Sequence, residues 1–93
     1  MNEYLVELYV PCTEPEGAGR LAASANRTAR ELTAAGTRVR LVRSIFVPGD
    51  ETCLFLFEAA SIDDVHKAAR RAALPFDRVI ETAPRSHLIL EES

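Results

Sequence analysis

The sequence lacks any long apolar run: no stretch approaches the roughly 18 consecutive apolar residues of a membrane-spanning helix. No basic segment followed by an apolar run opens the chain, so we expect no secretory signal peptide and no membrane partner. Cysteine is scarce, with two residues among 93. In the cytoplasm, where we expect this protein, Cys12 and Cys53 are thiols, although two cysteines also allow one disulfide.

Positively charged residues are also fewer than negatively charged ones. Lysine and arginine total 11 against 14 acidic residues, and the formal net charge is -3. Because phosphate binding needs a basic face, this balance argues against nucleic acid as the main partner. Hydrophobic residues make up 47% and charged residues 27% of the chain. This composition is typical of a soluble globular protein, and the length predicts one domain spanning residues 1–93.

Four strands are predicted from runs rich in β-branched and aromatic residues. They cover residues 4–10, 38–47, 52–58 and 77–82. The sequence Pro48-Gly49-Asp50 between the second and third runs is a turn signal, so these two strands should form a hairpin. The apolar tetrapeptide at 87–90 predicts a short fifth strand in the C-terminal tail.

Two helices are predicted between the strands. The first has a capping-box pattern from Thr13 to Glu16 and a left-handed stop at Gly36. Gly17 and Gly19 weaken its first turns, which predicts a late start. The second begins after Ser61, a capping residue, and ends before the proline at position 75.

The order strand-helix-strand-strand-helix-strand is the split βαβ pattern. Right-handed crossovers place both helices on one face of a four-stranded antiparallel sheet. The sequence therefore predicts an α+β, ferredoxin-like βαββαβ sandwich, with the short tail strand added at the end.

The third predicted strand is apolar on both sides, which is unusual for a sheet that is covered on one face. A partner subunit, a ligand or the chain's own tail should cover the second side. A large patch of this kind typically marks an interface, so we expect a homodimer through the open sheet face or through the tail strand. The predicted open face comprises Leu5, Glu7, Tyr9, Val42, Ser44, Phe46, Leu54, Leu56 and Glu58.

Two carboxylates on this predicted face are candidate ligand-binding residues. The first and third strands are usually neighbours in this fold, so Glu7 and Glu58 could approach each other. Two carboxylates that lie close together have raised pKa values, which suits them to general acid/base catalysis or to binding a cation. Their alternative role is structural pairing with Arg40 or Arg43 across the sheet or dimer. Arg40 is itself a candidate ligand-binding residue.

Four further side chains have two interpretations each. Tyr9 and Ser44 could donate hydrogen bonds to a ligand, or provide ordinary interface polarity. Cys53 is a candidate ligand-binding thiol, or a small buried hydrophobe. His66 is a candidate metal ligand, or a half-buried helix histidine packed near the sheet.

The segments Tyr4–Glu7, Val39–Ser44, Pro48–Ala59 and Ser61–Glu81 resemble a group of small bacterial ferredoxin-like proteins, catalogued mainly as a domain of unknown function. Some members of that group bind nickel. The resemblance implies a ferredoxin-like fold, a homodimer, and metal or small-ligand binding. The nickel-binding branch has two histidines four residues apart on its second helix. Here His66 occupies the first position, and Arg70, which is no metal ligand, occupies the second.

Three functions remain open from the sequence. The first is a non-enzymatic dimer that binds a small ligand or a metal such as nickel. The second is a small cofactor-independent enzyme of the isomerase, cyclase or monooxygenase type, with a cavity between the paired sheets that uses Glu7, Tyr9, Ser44 and Glu58. The third is an interaction module without chemistry.

Overall fold

The computed structural model describes residues 1–11 and 15–82. Its strands are β1 (Asn2–Tyr9), β2 (Val39–Val47), β3 (Thr52–Ala59) and β4 (Phe76–Glu81). Its helices are α1 (Pro15–Ala34) and α2 (Ile62–Arg71), and a single 3₁₀ turn, Pro48–Asp50, joins β2 to β3. The predicted tail strand at 87–90 lies outside the described residues.

The strands form one antiparallel sheet in the order β2-β3-β1-β4. The strands β1 and β2 are not neighbours, so α1 makes a crossover between them, and α2 does the same between β3 and β4. Both helices cover one side of the sheet. The ferredoxin-like fold and the β2–β3 hairpin predicted from the sequence are therefore confirmed.

The core lies between this side of the sheet and the two helices. In β3 every second residue is buried, which is the period-2 alternation of a strand. The helices contribute mostly alanine, whose small side chain lets them lie close to the sheet. The main buried residues are Tyr4, Val6, Leu8, Ala25, Ala29, Leu32, Phe55, Phe57, Val65, Ala68 and Ala69.

Helix α1 begins earlier than its glycines predict. It starts at Pro15, although Gly17 and Gly19 lie in its first two turns. A proline at the first helical position is already set for the helical φ angle, and this favours the early start. The predicted cap at Thr13 lies outside the described residues. At the other end the prediction is confirmed: Gly36 has a φ of 106°, in the left-handed region.

Helix α2 is capped as predicted. The Asp64 backbone N–H donates a hydrogen bond to the Ser61 hydroxyl oxygen at 3.3 Å. The helix ends at Arg71, earlier than its proline stop predicts, because Ala73 takes a left-handed φ of 59°. The Leu74 N–H then bonds back to the Ala69 carbonyl at 3.0 Å, which turns the chain toward β4.

We expect Ser61→Ala to lower the free energy of unfolding by about 1 kcal/mol, because the Asp64 N–H loses its acceptor. Urea unfolding at one protein concentration measures the change. Ser61→Asp is the matched control, since aspartate also caps helices, and it should stay near the parent value. Equal stability of the alanine and aspartate variants would contradict a capping role for Ser61.

A β-bulge at Val42 reverses the predicted faces of the second half of β2. The register pairs Leu41 with Phe57, but Arg43 with Leu56, so one extra residue lies in β2. A one-residue slip moves each following side chain to the other face. Ser44 and Phe46 therefore lie on the helix side, not on the open side as predicted.

Candidate functional site

The side of the sheet away from the helices, here called the open face, has an apolar centre. Leu5 of β1 pairs with Leu56 of β3 and with Ile80 of β4, so three aliphatic side chains lie in one row. Leu54 follows in the next row. All four are only half-buried in the single chain, and no described residue covers them.

Strand β2 extends this apolar surface toward the edge of the sheet. Because of the bulge, Ile45 pairs with Leu54 and Val47 pairs with Thr52 on the open face. Ile45 is 41% exposed. The open face predicted from the sequence includes neither residue, and only the position of the bulge could have corrected this.

Two ion pairs flank the apolar centre. The Glu7 carboxylate accepts a hydrogen bond from Arg78 Nε at 3.0 Å. The Glu58 carboxylate accepts from Arg40, whose Nε and Nη2 both lie 3.1 Å from the same oxygen. The predicted structural pairing of Arg40 with Glu58 is therefore present, whereas Glu7 has a partner that sequence reasoning missed. The arginines are largely exposed, so each pair contributes little stability in the single chain.

The two carboxylates predicted to approach each other lie far apart. Glu7 is opposite Leu54, four residues along β3 from Glu58, and this register separates their Cα positions by about 13 Å. The expected close Glu7–Glu58 pair is wrong. The glutamate opposite Glu58 is instead Glu3, which the sequence pattern did not single out.

The remaining hydroxyl candidates are separated by the sheet. Tyr9 pairs with Thr52 at one end of the open face and is 55% exposed. Ser44 is exposed on the other side of the sheet. The open face therefore joins Tyr9 with Glu7, Arg40 and Glu58 but leaves Ser44 out.

Cys53 has the environment of a core residue. Its thiol is free and 1% exposed, and it lies on the helix side, opposite Leu8. Burial raises the pKa of the Cys53 thiol above its ordinary value of 9.0, although a hydrogen bond with the Leu54 backbone opposes the shift. Both effects of burial, low access and a raised pKa, disfavour a reactive thiolate. Cys12 lies outside the described residues.

We expect Cys53 to react with a disulfide reagent only when the protein unfolds. In a Cys12→Ser background, which leaves Cys53 as the sole thiol, the reaction should be at least about a hundredfold slower in buffer than in denaturing urea. Because the folded pKa is raised, this thiol favours folding below the unfolded pKa near 9, and that contribution is lost as the pH rises further. Equal rates with and without urea would contradict burial.

His66 lies in the helix layer, away from the open face. Its ring packs edge-on against Phe76, with ring centroids 5.7 Å apart. Its Nδ1 atom is buried and has no hydrogen-bond partner among the described residues. Within residues 1–11 and 15–82, no three His, Cys, Asp or Glu side chains are grouped to hold a metal ion. This packing agrees with the second of the two roles predicted for His66, a half-buried helix histidine packed near the sheet.

Comparisons with known proteins bear on the fold. The chain matches no family model, and it matches no curated protein sequence. It is similar to the crystal structure of SCO4226 from Streptomyces coelicolor A3(2), with a TM-score of 0.73 and 13% sequence identity. The match covers 88% of this chain and 96% of that one. At this identity the likeness shows a shared ferredoxin-like fold and nothing about activity.

No helix in the described part of the chain is long and apolar enough to cross a membrane.

Proposed function

We propose that this protein is a homodimeric binding protein in which the open faces of two copies pack together and enclose a small-ligand site. The observation that carries this proposal is the aliphatic row of Leu5, Leu56 and Ile80, which no described residue covers. Aliphatic side chains that are contiguous on a sheet face favour burial against another surface.

The dimensions of the open face suit a second copy. Four strands about 4.8 Å apart and eight residues rising about 3.3 Å each give about 500 Å² of sheet per copy. Two such faces would bury about 1,000 Å², which is about the minimum for a biological interface and is the size typical of weak, transient complexes. Packing of this size favours a dimer that forms at micromolar concentration rather than a permanently associated one.

The charges of the open face also suit self-association. Three arginines and three glutamates balance to zero, so the face neither repels a second copy nor selects a strongly charged partner. Arg43 and Glu3 have no ion-pair partner among the described residues of one chain. They leave one cation and one anion on each copy for contacts across the interface. The six residues are Glu3, Glu7, Arg40, Arg43, Glu58 and Arg78.

The proposed ligand site lies at the polar margins of this interface. Glu7, Tyr9, Arg40 and Glu58 supply carboxylate, phenol and guanidinium groups beside the apolar centre, which is the mixed chemistry of small-molecule sites. Acid/base catalysis is less well supported, because Glu7 and Glu58 are separated and Ser44 lies on the other side of the sheet.

Light scattering of the purified protein tests the proposal. At about 50 µM, a concentration well above a micromolar dissociation constant, we expect a mass near 20 kDa, twice that of the 10.2 kDa chain. Native mass spectrometry of the same sample should show the dimer and any ligand it retains. A mass of one chain at this concentration would contradict the proposal.

A further inference from the structure

A groove between α1 and the edge strand β2 is separate from the apolar centre of the open face. It has a volume of about 530 Å³, within the range of small-molecule sites. Its apolar floor is formed by Ala29, Ala34, Val39 and Leu41. Ala29 and Val39 are buried, and Leu41 packs against the core. An apolar concavity of this size is suited to the hydrocarbon part of a ligand.

A hydrogen-bonded link between helix and strand holds the groove in shape. The Thr33 hydroxyl donates to the Val39 carbonyl at 2.8 Å and accepts from the Val39 N–H at 3.1 Å. This double link fixes the start of β2 against the last turn of α1. The floor is therefore formed before any ligand enters, and little ordering is needed on binding.

The rim of the groove is basic, in contrast to the chain as a whole. Arg30, Arg38 and Arg40 line it together with one acid, Glu58, so its charged side chains sum to +2 in a protein of net charge -3. Arg40 is occupied by its ion pair with Glu58. Arg30 and Arg38 form no ion pair within the described residues. Their two guanidinium groups are available to an anionic head group.

We propose that this groove binds an organic monocarboxylate with a hydrocarbon body. The hydrocarbon lies on the Ala29–Val39–Leu41 floor, and the carboxylate accepts hydrogen bonds from Arg30 and Arg38. The planar guanidinium fork matches a carboxylate in geometry as well as in charge. This proposal does not depend on dimer formation, because the floor residues Val39 and Leu41 pair with buried residues on the helix side of the sheet. Of the groove's rim, Arg40 and Glu58 belong to the open face.

Three small probes separate the two parts of the site. Octanoate carries both the body and the charge, octanol carries the body alone, and acetate carries the charge alone. Titration followed by amide NMR shifts should give saturable octanoate binding with a Kd below about 1 mM, and at least about tenfold weaker binding of the other two. The shifted amides should surround Val39 and Thr33.

Matched variants test the assigned residues. The double variant Arg30→Gln with Arg38→Gln should weaken octanoate binding at least about tenfold and leave octanol binding unchanged. Ala34→Phe, which places a ring in the groove, should remove binding of both. Arg71→Gln, an exposed arginine of α2, is the control and should bind octanoate like the parent protein. The amide spectrum of each variant also reports whether it is folded.

Several results would overturn the proposal. Failure of octanoate to saturate the protein, or binding of octanol as tight as that of octanoate, would contradict a site that recognises both body and charge. The proposal would also be wrong if the double arginine variant bound octanoate like the parent protein, or if the amide shifts centred on Leu5 and Leu54 of the open face. The variant Leu56→Arg, which is designed to disrupt the dimer, should keep its affinity for octanoate. Loss of binding in that variant would contradict a site contained within one chain.

Discussion

Replacing Leu56 with arginine is expected to raise the dissociation constant of the dimer about a hundredfold. Leu56 lies on one of the two central strands, between Leu5 and Arg43 on the open face. A guanidinium at this position would lose its water on dimer formation, and the other copy would place the same charge nearby. Because the side chain is only half-buried in one chain, the fold itself should tolerate the change.

Sedimentation equilibrium over a range of concentrations measures this effect. The control is Ile62→Arg, which adds the same charge at an exposed aliphatic residue that is 38% accessible on α2. We expect this control to dimerise like the parent protein. A Leu56→Arg variant that dimerises normally, or an Ile62→Arg variant that dissociates, would show that the interface lies elsewhere.

Replacing Phe57 with alanine is expected to cost about 3–5 kcal/mol of the free energy of unfolding. Phe57 is fully buried at the centre of the core and pairs with Tyr4 and Leu41 on its two neighbouring strands. Domains of this size have only about 5–15 kcal/mol of stability. The variant should therefore be partly unfolded at 37 °C.

Urea unfolding at one fixed protein concentration measures this loss, since dimer formation makes the apparent stability depend on concentration. Phe57→Leu is the matched control, because it keeps a large apolar side chain, leaves a smaller cavity than alanine and should cost clearly less than the alanine variant. A loss below about 1 kcal/mol for the alanine variant would mean that Phe57 is not central to the core.

Local sequence signals were sufficient to predict the fold. Ser61 marks the start of α2 and Gly36 marks the end of α1, and each does so through its own backbone chemistry. The sequence of β3 is apolar on both sides, so only the period of two of a strand separates core residues such as Phe55 from open-face residues such as Leu56. The order of the elements then leaves few topologies to choose from.

The arrangement of the open face could be predicted only in part. A bulge inserts one residue, and neither periodicity nor composition marks its position at Val42. The shift moved Ser44 from the predicted site to the other side of the sheet and brought Ile45 onto the open face. A second irregularity lies in the pairing of β1 with β4. Glu7 pairs with Arg78 but Leu8 pairs with Phe76, so the register shifts directly after the Glu7–Arg78 pair. Such pairings depend on register between segments distant in sequence.

The groove could not be predicted from the sequence either. Its floor combines α1 residues with the start of β2, and their approach depends on how the helix lies across the sheet. Arg30 and Arg38 are eight positions apart, with the end of a helix and a turn between them. No rule of sequence spacing predicts that such residues lie close together. In the structure, the Thr33–Val39 hydrogen bonds hold the end of α1 against the start of β2.

Contacts between open faces can be observed directly by NMR. A sample that mixes isotope-labelled and unlabelled copies gives isotope-filtered NOEs between chains alone. We predict intermolecular NOEs among the methyl groups of Leu5, Leu54, Leu56 and Ile80. A dimeric sample whose intermolecular NOEs arise only from other surfaces, or a sample that gives none and has the mass of one chain, would contradict dimerisation through the open face.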